Sequence, residues 1–374
     1  MFGIAKLQTS IEKAWEGERL SKEEACVLWE KADFYTLATL ANHRRLTLHP
    51  EPIVTYVIDR NINYTNICFS GCRFCAFYRS PEAEDGYVLS QAELTSKIQE
   101  ALSLGGTQIL LQGGMHPDLG LRFYENMLRF IKEHFPIHIH GFSPPEIVHL
   151  VRKEKLALEE VLHRLQQSGL DSIPGGGAEI LVDEVRRKIS PRKCSSSEWL
   201  AVMETSHSLG MRTTATMMFG HIETLEQRLE HLLKLRELQD RTKGFTAFIP
   251  WTFQPDNTGL KTKPATGVDY LRTLAMSRLV LDNIRNLQVS WVTMGSGVAQ
   301  VALQFGANDF GSTMIEENVV AAAGVRHRLS VEEIRRIITD AGYEARQRNT
   351  FYELVERREN NHKGHKEHKE SLRS

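Results

Sequence analysis

The chain has 374 residues, of which 41% are hydrophobic and 25% are charged, and its formal net charge is −1. A chain of this length can bury one large core, and α/β barrels commonly reach this size as a single domain. The balanced charge provides no basic field of the kind that binds nucleic acid. No apolar run approaches the roughly 20 residues of a membrane span, and residues 1–6 lack the apolar stretch of an export signal. We therefore expect a cytoplasmic protein without nucleic-acid or membrane partners.

The predicted elements divide the chain into four parts. Residues 1–50 are predicted to be an N-terminal helical extension, because helix-starting residues such as Ser21 precede apolar residues at helical spacing. Residues 51–328 alternate short apolar or β-branched runs with amphipathic helices, and residues 329–355 are predicted to be a C-terminal helical cap. Residues 356–374 are polar and repetitive, so we expect a disordered tail there.

Eight candidate strands alternate with helices in the central part. They are residues 61–67, 108–111, 137–141, 170–173, 212–218, 245–251, 288–292 and 307–310. Eight strand-then-helix units predict an α/β fold with a (β/α)8 TIM-type barrel rather than an open sheet. Such a barrel carries its reactive groups on the loops after the carboxyl ends of its strands.

Three of the five cysteines, Cys68, Cys72 and Cys75, lie in the loop after the first predicted strand. Three closely spaced thiolates can hold a [4Fe–4S] cube and leave its fourth iron open, whereas a structural zinc site needs four protein ligands. Three alternatives remain: unrelated buried thiols, a zinc site completed by a distant histidine, and an electron-carrying cluster with a fourth ligand from elsewhere. Cys26 and Cys194 stand alone in helical patterns, and we expect them to be packed or surface thiols.

The spacing Cys-x-x-x-Cys-x-x-Cys, with the aromatic Phe74 before the last cysteine, resembles the signature of the radical S-adenosylmethionine (SAM) enzymes. The resemblance implies a [4Fe–4S] cluster on the three cysteines, SAM at the fourth iron and Phe74 near the cofactor. It also implies that Gly113 and Gly114, past the second strand, contact the methionine part of SAM. Met115 stands where family members often have an acidic residue, which favours a backbone contact. A simple turn is the alternative for the two glycines.

Two further loops are candidates for SAM contacts. Past the third strand, Ser143 begins a Ser-Pro-Pro-Glu sequence that is also a well-formed capping box with Glu146, so cofactor binding and helix capping both stay open. Past the fourth strand, residues 175–177 are three consecutive glycines, which are entropically costly unless a ligand or another backbone passes close by. The family resemblance favours a SAM contact at Gly176 and ribose hydroxyls at Glu179.

Other residues near strand ends suggest a substrate site. Residues 250–258 combine aromatic, amide and carboxylate groups, which suits a ring-bearing, hydroxylated substrate. Asp309, in the eighth predicted strand, could orient a substrate hydroxyl or cap the next segment. His116, His140 and His221 could move protons near neutral pH, and a hydrogen-bonded structural role is the alternative for each.

Within the radical SAM family, most of the chain resembles the branch that contains the futalosine-pathway enzymes of menaquinone biosynthesis and the deazaflavin (F420 precursor) synthase subunits. The shared stretches are residues 62–68, 112–117, 174–179 and 248–250. Residues 59–61 and 251–255 resemble the dehypoxanthine futalosine cyclases. The aminofutalosine synthases and the deazaflavin subunits, which remain alternatives, usually carry Asn-Arg-His in place of the Asp-Arg-Asn at residues 59–61.

Membership of the cyclase group implies that SAM cleavage at the reduced cluster yields a 5′-deoxyadenosyl radical, which removes hydrogen from C4′ of the ribose of dehypoxanthine futalosine. The sugar radical then closes on the benzoate ring, and loss of an electron and a proton restores aromaticity. The resemblance also implies a low-potential electron donor of the flavodoxin or ferredoxin type. We expect Arg60 or a backbone nest to bind the substrate carboxylate. A group at the barrel mouth, such as His116 or Asp309, is expected to take the final proton.

Overall fold

Helices and strands alternate through the computed structural model, which describes residues 2–356. The helices are α1 (Phe2–Glu16), α2 (Lys22–Lys31), α3 (Phe34–Leu48), α4 (Gln91–Ser103), α5 (Leu121–His134), α6 (Pro144–Glu154), α7 (Leu158–Gln167), α8 (Asp183–Ile189), α9 (Ser196–Ser208), α10 (Leu225–Thr242), α11 (Gly267–Val280), α12 (Trp291–Ala302), α13 (Val319–Ala322) and α14 (Val331–Asp340). The strands are β1 (Ile53–Val57), β2 (Asp59–Asn63), β3 (Gln108–Gln112), β4 (His138–Gly141), β5 (Ser172–Ile173), β6 (Arg212–Phe219), β7 (Phe245–Thr252), β8 (Asn286–Leu287), β9 (Asp309–Ser312) and β10 (Glu344–Gln347). None of the helices in this described part is long and apolar enough to cross a membrane.

Seven strands form one parallel sheet in chain order, from β2 to β8. A second sheet has the order β10-β1-β9, and β1 leads almost directly into β2. Backbone hydrogen bonds connect the β9 segment to both edges of the larger sheet. The Val289 N–H, just past β8, donates to the Asp309 carbonyl (3.0 Å), and the Ile315 N–H, just past β9, donates to the Asp59 carbonyl of β2 (3.4 Å). The strands therefore curl into a barrel in which β9 takes the eighth position.

Seven of the eight predicted barrel strands overlap observed strands, and the α/β barrel is confirmed. The seventh prediction, residues 288–292, is displaced, because the strand at that position, β8, ends at Leu287 and α12 begins at Trp291. Strand β1 was not predicted, because its apolar run at 53–57 lies directly before the first predicted strand. In the structure β1 is a separate strand that pairs with β9 and β10.

The two ends of the chain cover the barrel differently. In the N-terminal extension, α3 packs on α11 and α2 packs on α10 and α11, and Ser21 starts α2 with a complete capping box, as predicted. The predicted C-terminal cap of helices alone needs correction, because α14 is followed by strand β10, which pairs with β1. The sequence of β10, Glu-Ala-Arg-Gln, is mostly polar and does not look like a strand. It forms an edge strand because it pairs with β1. The predicted tail lies outside the described residues from residue 357 onward.

Candidate active site

The three clustered cysteines lie in an irregular loop between β2 and α4. Backbone hydrogen bonds hold this loop: the Cys68 N–H donates to the Arg79 carbonyl (2.9 Å), and the Cys75 N–H donates to the Cys72 carbonyl (3.1 Å). All three thiols are free, and burial raises the pKa of each. Buried thiols ionise when a metal supplies the compensating positive charge. Three such thiols in one loop therefore fit a cluster with three protein ligands.

A second segment, around the end of α8, supports the cysteine loop. The Arg73 N–H donates to the Ile189 carbonyl (2.9 Å). The Arg192 guanidinium donates to the Phe69 carbonyl (2.6 Å). These contacts lie on both sides of Cys72 in the chain, so residues 189–192 help to set the position of the central cysteine.

Lys193 is a largely buried cation beside the cysteine loop. Its ammonium lies 5.0 Å from the ring centroid of Phe74 and donates to Glu179 (2.9 Å), which also pairs with Arg186 (3.5 Å). Burial lowers the pKa of Lys193, but the attraction of the Cys72 and Glu179 anions outweighs it and raises the pKa overall. Glu179 therefore already neutralises two cations, and its expected bond to a ribose stays a prediction. Phe74 lies where predicted, in the cluster loop.

The glycine pair after β3 packs directly on the cysteine loop. A Cβ at Gly114 would lie 2.2 Å from the Ile67 carbonyl oxygen, and a Cβ at Gly113 would lie 2.5 Å from the ring of Tyr64. Both distances are too short for real atoms, so the packing of the chain itself requires glycine here. The predicted contact with SAM is an additional role that stays a prediction.

Three of the predicted cofactor loops meet at Gly176. A Cβ there would lie 2.5 Å from Nε2 of Gln112, the last residue of β3, and 3.4 Å from Cβ of Ser143, which follows β4. The nearest atom belongs to the end of a flexible side chain, so this glycine has more freedom than Gly114. The structure thus brings the loops after β3, β4 and β5 together at the mouth of the barrel.

Ser143 precedes α6, but its side chain makes no capping hydrogen bond. Its hydroxyl donates to the carboxylate of Glu146, which also accepts from the Tyr64 hydroxyl and from the Gly113 N–H (3.2 Å). The predicted capping box is therefore wrong, because Glu146 turns inward and binds the glycine loop. Burial raises the pKa of Glu146 to about 7.

The barrel encloses a cavity of about 260 Å³. Gln112 and Gly176 line it at the carboxyl ends of the strands, and Trp251 and Trp291 contribute aromatic walls. Its hydrogen-bonding and charged side chains include Asp59, Asn61, Gln108, His140, Glu317 and Arg348. This mixture suits a ligand with an aromatic ring and hydroxyl or carboxylate groups.

Arg348 reaches the base of this cavity from the segment after β10. Its guanidinium forms a two-pronged ion pair with the buried Asp309, in which Nη2 lies 3.1 Å from Oδ1. It also lies 4.0 Å from the ring centroid of Tyr352. Asp309 accepts a further hydrogen bond from the Thr55 hydroxyl (2.6 Å) and is not part of the cavity wall. The geometry therefore gives Asp309 the role of holding Arg348, rather than the predicted contact with a substrate hydroxyl.

Asp59 is the second acid at the base. It accepts hydrogen bonds from the Ser312 hydroxyl and from Nε2 of Gln108 (2.8 Å), and Gln108 in turn accepts from the Thr350 hydroxyl. Burial raises the pKa of Asp59. These contacts join the first residues of β2 and β3 to the C-terminal segment and close the lower end of the cavity.

Two residues predicted to be catalytic lie away from the cavity. Arg60 points outward from β2 and pairs with Glu100 and Glu316, the latter at 2.7 Å. His116 accepts a hydrogen bond from the Asp118 N–H (3.1 Å) in the loop after β3. Neither is a lining residue. Strand alternation explains the position of Arg60, because neighbouring residues of a strand face opposite sides.

The other two candidate histidines differ in position. His140 lines the cavity and is hydrogen-bonded to the Ser172 hydroxyl (2.7 Å), and burial lowers its pKa to about 3, so its imidazole is neutral near pH 7. His221 is hydrogen-bonded to the Met218 carbonyl (3.1 Å) in the turn after β6, which is the structural alternative.

Sequence reasoning missed Arg348, Thr350 and Tyr352, which line the cavity from the C-terminal segment, and Glu317, which follows β9. No regular spacing marks the first three in the sequence, because residues 350–352 form a turn in which Tyr352 has a φ of 66°.

Comparison with known proteins agrees with this arrangement. Residues 62–235 match the model of the radical SAM superfamily, and residues 242–361 match the CofH/MqnC C-terminal region. The chain is 50% identical to a cyclic dehypoxanthine futalosine synthase of Halalkalibacterium halodurans, over 92% of this chain and 94% of the relative. The chain belongs to the radical SAM superfamily. Radical SAM enzymes use a [4Fe–4S] cluster and SAM, so the alternatives of a zinc site, unrelated thiols and a simple electron carrier are set aside.

Two further radical SAM relatives are similar over most of their length. A cyclic dehypoxanthine futalosine synthase of Streptomyces coelicolor is 44% identical over 93% of this chain and 89% of the relative. A 5-amino-6-(D-ribitylamino)uracil–L-tyrosine 4-hydroxyphenyl transferase of Archaeoglobus fulgidus is 43% identical over 81% of this chain and 89% of the relative.

Solved radical SAM structures share the fold. The FeFe-hydrogenase maturase HydG of Carboxydothermus hydrogenoformans superposes with a TM-score of 0.75 at 17% identity, covering 93% of this chain and 81% of that chain. Methylornithine synthase (PylB) superposes with a TM-score of 0.68 at 16% identity, covering 90% of this chain and 97% of that chain. At these identities the likeness concerns the barrel alone.

Proposed function

We propose that this protein is a cyclic dehypoxanthine futalosine synthase, which converts dehypoxanthine futalosine to its cyclic form in menaquinone biosynthesis. The observation that carries the proposal is the 50% identity to a relative of that name over more than nine tenths of both chains. The transferase from Archaeoglobus fulgidus reaches 43% over a shorter span.

The cofactors supply the hydrogen-abstracting chemistry when bound, in the form of a 5′-deoxyadenosyl radical. We propose that Cys68, Cys72 and Cys75 hold the cluster. The residues proposed for SAM are Phe74 in the cysteine loop and Gly113, Gly114, Ser143, Gly176 and Glu179 in the loops after β3, β4 and β5. The barrel then keeps the ribose of the substrate close to the reactive carbon and away from water.

The cavity is the proposed substrate site. In it, Arg348 replaces Arg60 as the candidate for the substrate carboxylate, because it is the arginine that lines the wall among the described residues. Asp309 holds the guanidinium through Nε and Nη2, Nη1 donates to the Asn349 carbonyl (3.0 Å), and Nη2 also donates to Gln288 (3.4 Å). A guanidinium has five N–H groups, so one N–H of Nη1 is left for a substrate carboxylate.

Glu317 is the proposed acceptor of the final proton. Its carboxylate lines the cavity, accepts hydrogen bonds from the Asn61 amide (2.9 Å) and the Val320 N–H (2.8 Å), and has a pKa raised by burial. A buried carboxylate with a raised pKa is a stronger base than an exposed one. His116 and Asp309, which were expected in this role, lie outside the cavity wall.

The cellular setting follows from this chemistry. An oxygen-sensitive cluster and five free cysteines suit a reducing compartment, so we place the enzyme in the cytoplasm. Cleavage of SAM needs one electron from a low-potential donor of the flavodoxin or ferredoxin type.

An anaerobic assay tests the proposal. The reconstituted protein is incubated with SAM, dithionite and dehypoxanthine futalosine, and mass spectrometry follows the products. We expect a product two hydrogen atoms lighter than the substrate, together with 5′-deoxyadenosine. Deuterium placed at C4′ should appear in the 5′-deoxyadenosine. Consumption of tyrosine and 5-amino-6-(D-ribitylamino)uracil instead, with no cyclised product, would assign the chain to the transferases.

A further inference from the structure

We propose that an exposed cationic rim beside the cysteine loop is the docking face for an acidic electron-donor protein. The rim consists of Arg73, Arg187, Lys188 and Arg192. The inference rests on the proposed radical SAM chemistry, because that chemistry draws an electron from outside the chain. It does not depend on which substrate occupies the cavity.

The four rim side chains are exposed on a chain whose formal net charge is only −1, so the positive charge is a local concentration. Lys188 pairs with Glu184 at 2.7 Å, but the two side chains are 58% and 61% exposed. A pair so exposed is weak and readily exchanges partners. The rim therefore keeps most of its positive charge available to a partner.

A neighbouring loop adds to the rim. The Gly259 N–H donates to the Arg73 carbonyl (2.7 Å), and the loop that contains Gly259 carries the exposed Lys261 and Lys263 beside one exposed acid, Asp256. The cations of the combined surface outnumber its acids.

The stretch that follows the cysteines in the chain carries the exposed acids Glu82, Glu84 and Asp85, of which Asp85 is paired with Arg79. These acids would repel an acidic partner, which favours an approach over the rim.

The rim is in direct contact with the cluster loop. Arg73 lies next to Cys72 and its guanidinium donates to the Lys188 carbonyl (3.3 Å), while Arg192 donates to the Phe69 carbonyl (2.6 Å). A protein seated on the rim would therefore contact side chains that adjoin the cysteine loop. Electron transfer rates fall steeply with distance, so a position this close to the cluster favours electron transfer.

The charge of the rim selects the class of partner. It fits a small acidic protein that carries a one-electron flavin or iron–sulfur centre of low potential. In the transfer step the reduced donor loses one electron and the cluster gains it, and no covalent bond forms or breaks.

The test is the rate of cluster reduction in the reconstituted holoenzyme, followed by anaerobic stopped-flow absorbance with an acidic flavodoxin in its hydroquinone form. In the double variant Arg187→Gln/Lys188→Gln, the second-order rate constant should fall about 3- to 10-fold at low ionic strength. The difference should shrink as salt is added, because salt screens exposed charges. Arg73 and Arg192 are left intact because they hold the loop itself.

The matched control is Lys22→Gln/Arg336→Gln, which removes the same charge from exposed positions on α2 and α14. It should reduce at the wild-type rate. Iron content and the end-point yield of 5′-deoxyadenosine with excess dithionite should be unchanged in both variants. A wild-type rate in the rim variant, or an equal loss in the control, overturns the docking face.

Cluster reduction is measured without dehypoxanthine futalosine. Loss of the docking effect and loss of the proposed cyclase activity are therefore separate results.

Discussion

The mouth and the base of the barrel are built in different ways. At the mouth, the three cysteines lie within eight consecutive residues, and the glycine loops follow directly from neighbouring strands. At the base, the contacts link Asp59, Gln108, Asp309, Arg348 and Thr350, which are spread over most of the chain. The mouth depends on local sequence, whereas the base depends on the completed fold.

The two regions also hold their charges differently. The thiols at the mouth would bind a cofactor, so their interactions depend on a group from outside the chain. At the base, Arg348 already has its carboxylate partner in Asp309. Substitutions at the mouth should therefore affect cofactor binding first, and substitutions at the base should affect folding first.

The largest effect is expected from Cys72→Ala. With one of its three thiolate ligands removed, the protein should lose most of its iron after anaerobic reconstitution and form 5′-deoxyadenosine only at background level. Iron analysis and electron paramagnetic resonance measure this. Cys26→Ala is the control and should keep the full cluster. A complete cluster in Cys72→Ala would show that the cluster is not held by the cysteines at the mouth.

Asp309→Asn tests the base. It leaves the Arg348 guanidinium buried without its anion, and breaking a buried pair in this way should cost about 3–5 kcal/mol. Denaturant unfolding of the cluster-free protein measures the loss. A change below about 1 kcal/mol would show that the base does not depend on this pair.

Glu146 gives the mouth a pH dependence of its own. Burial raises the pKa of Glu146 from its usual 4.5 to about 7, so the folded protein holds this proton more tightly than the unfolded chain. The stabilising effect of the bound proton is present below pH 4.5 and is lost as the pH rises towards 7, a change of up to about 3 kcal/mol.

Unfolding free energies measured from pH 4.5 to 8 should therefore decline more steeply in the wild type than in Glu146→Gln, which cannot titrate. Parallel curves for the two proteins would mean that Glu146 titrates near its usual pKa.

Gly114→Ala and Gly176→Ala separate packing from cofactor contact at the mouth. The methyl group at 114 meets backbone next to Cys68, and we expect a loss of about 2 kcal/mol with lower iron content. The methyl group at 176 meets a movable amide, so stability should hold while SAM affinity falls several-fold. Calorimetric titration with SAM makes the comparison, and unchanged affinity in Gly176→Ala would limit this glycine to loop geometry.

The smallest effect on substrate binding is expected for Arg60→Gln. Arg60 is largely buried, so losing its ion pairs with Glu100 and Glu316 should cost about 1–3 kcal/mol of stability, while Lys97 still pairs with Glu316. The KM for dehypoxanthine futalosine should stay the same, in contrast to Arg348→Lys, where it should rise. If the KM rises in Arg60→Gln and not in Arg348→Lys, Arg60 rather than Arg348 binds the substrate carboxylate.

The sequence predicted the barrel because each strand is a short apolar run followed by an amphipathic helix, a pattern that survives without tertiary information. It also located the cysteine loop, because thiol spacing is itself the chemical requirement. β10 escaped prediction because its polar residues form a strand only through pairing with β1. Arg60 was expected to bind the substrate carboxylate because its position in the sequence does not show which face of β2 its side chain occupies.

Glu146 illustrates the same limit at the mouth. Its position three residues after Ser143 is ideal for a capping box, yet the buried hydroxyl of Tyr64 competes for the carboxylate and turns it inward. A local motif predicts the residues that could interact. The surrounding packing decides which interaction forms.

The C-terminal position of Arg348 has a consequence for the order in which the protein is made. The cysteine loop emerges early during translation, whereas the residues that seal the lower end of the cavity are synthesised near the end of the described chain. The three thiols are therefore synthesised well before the residues that close the lower end of the substrate cavity. The substrate cavity is therefore complete only after the last strand and the residues that follow it are in place.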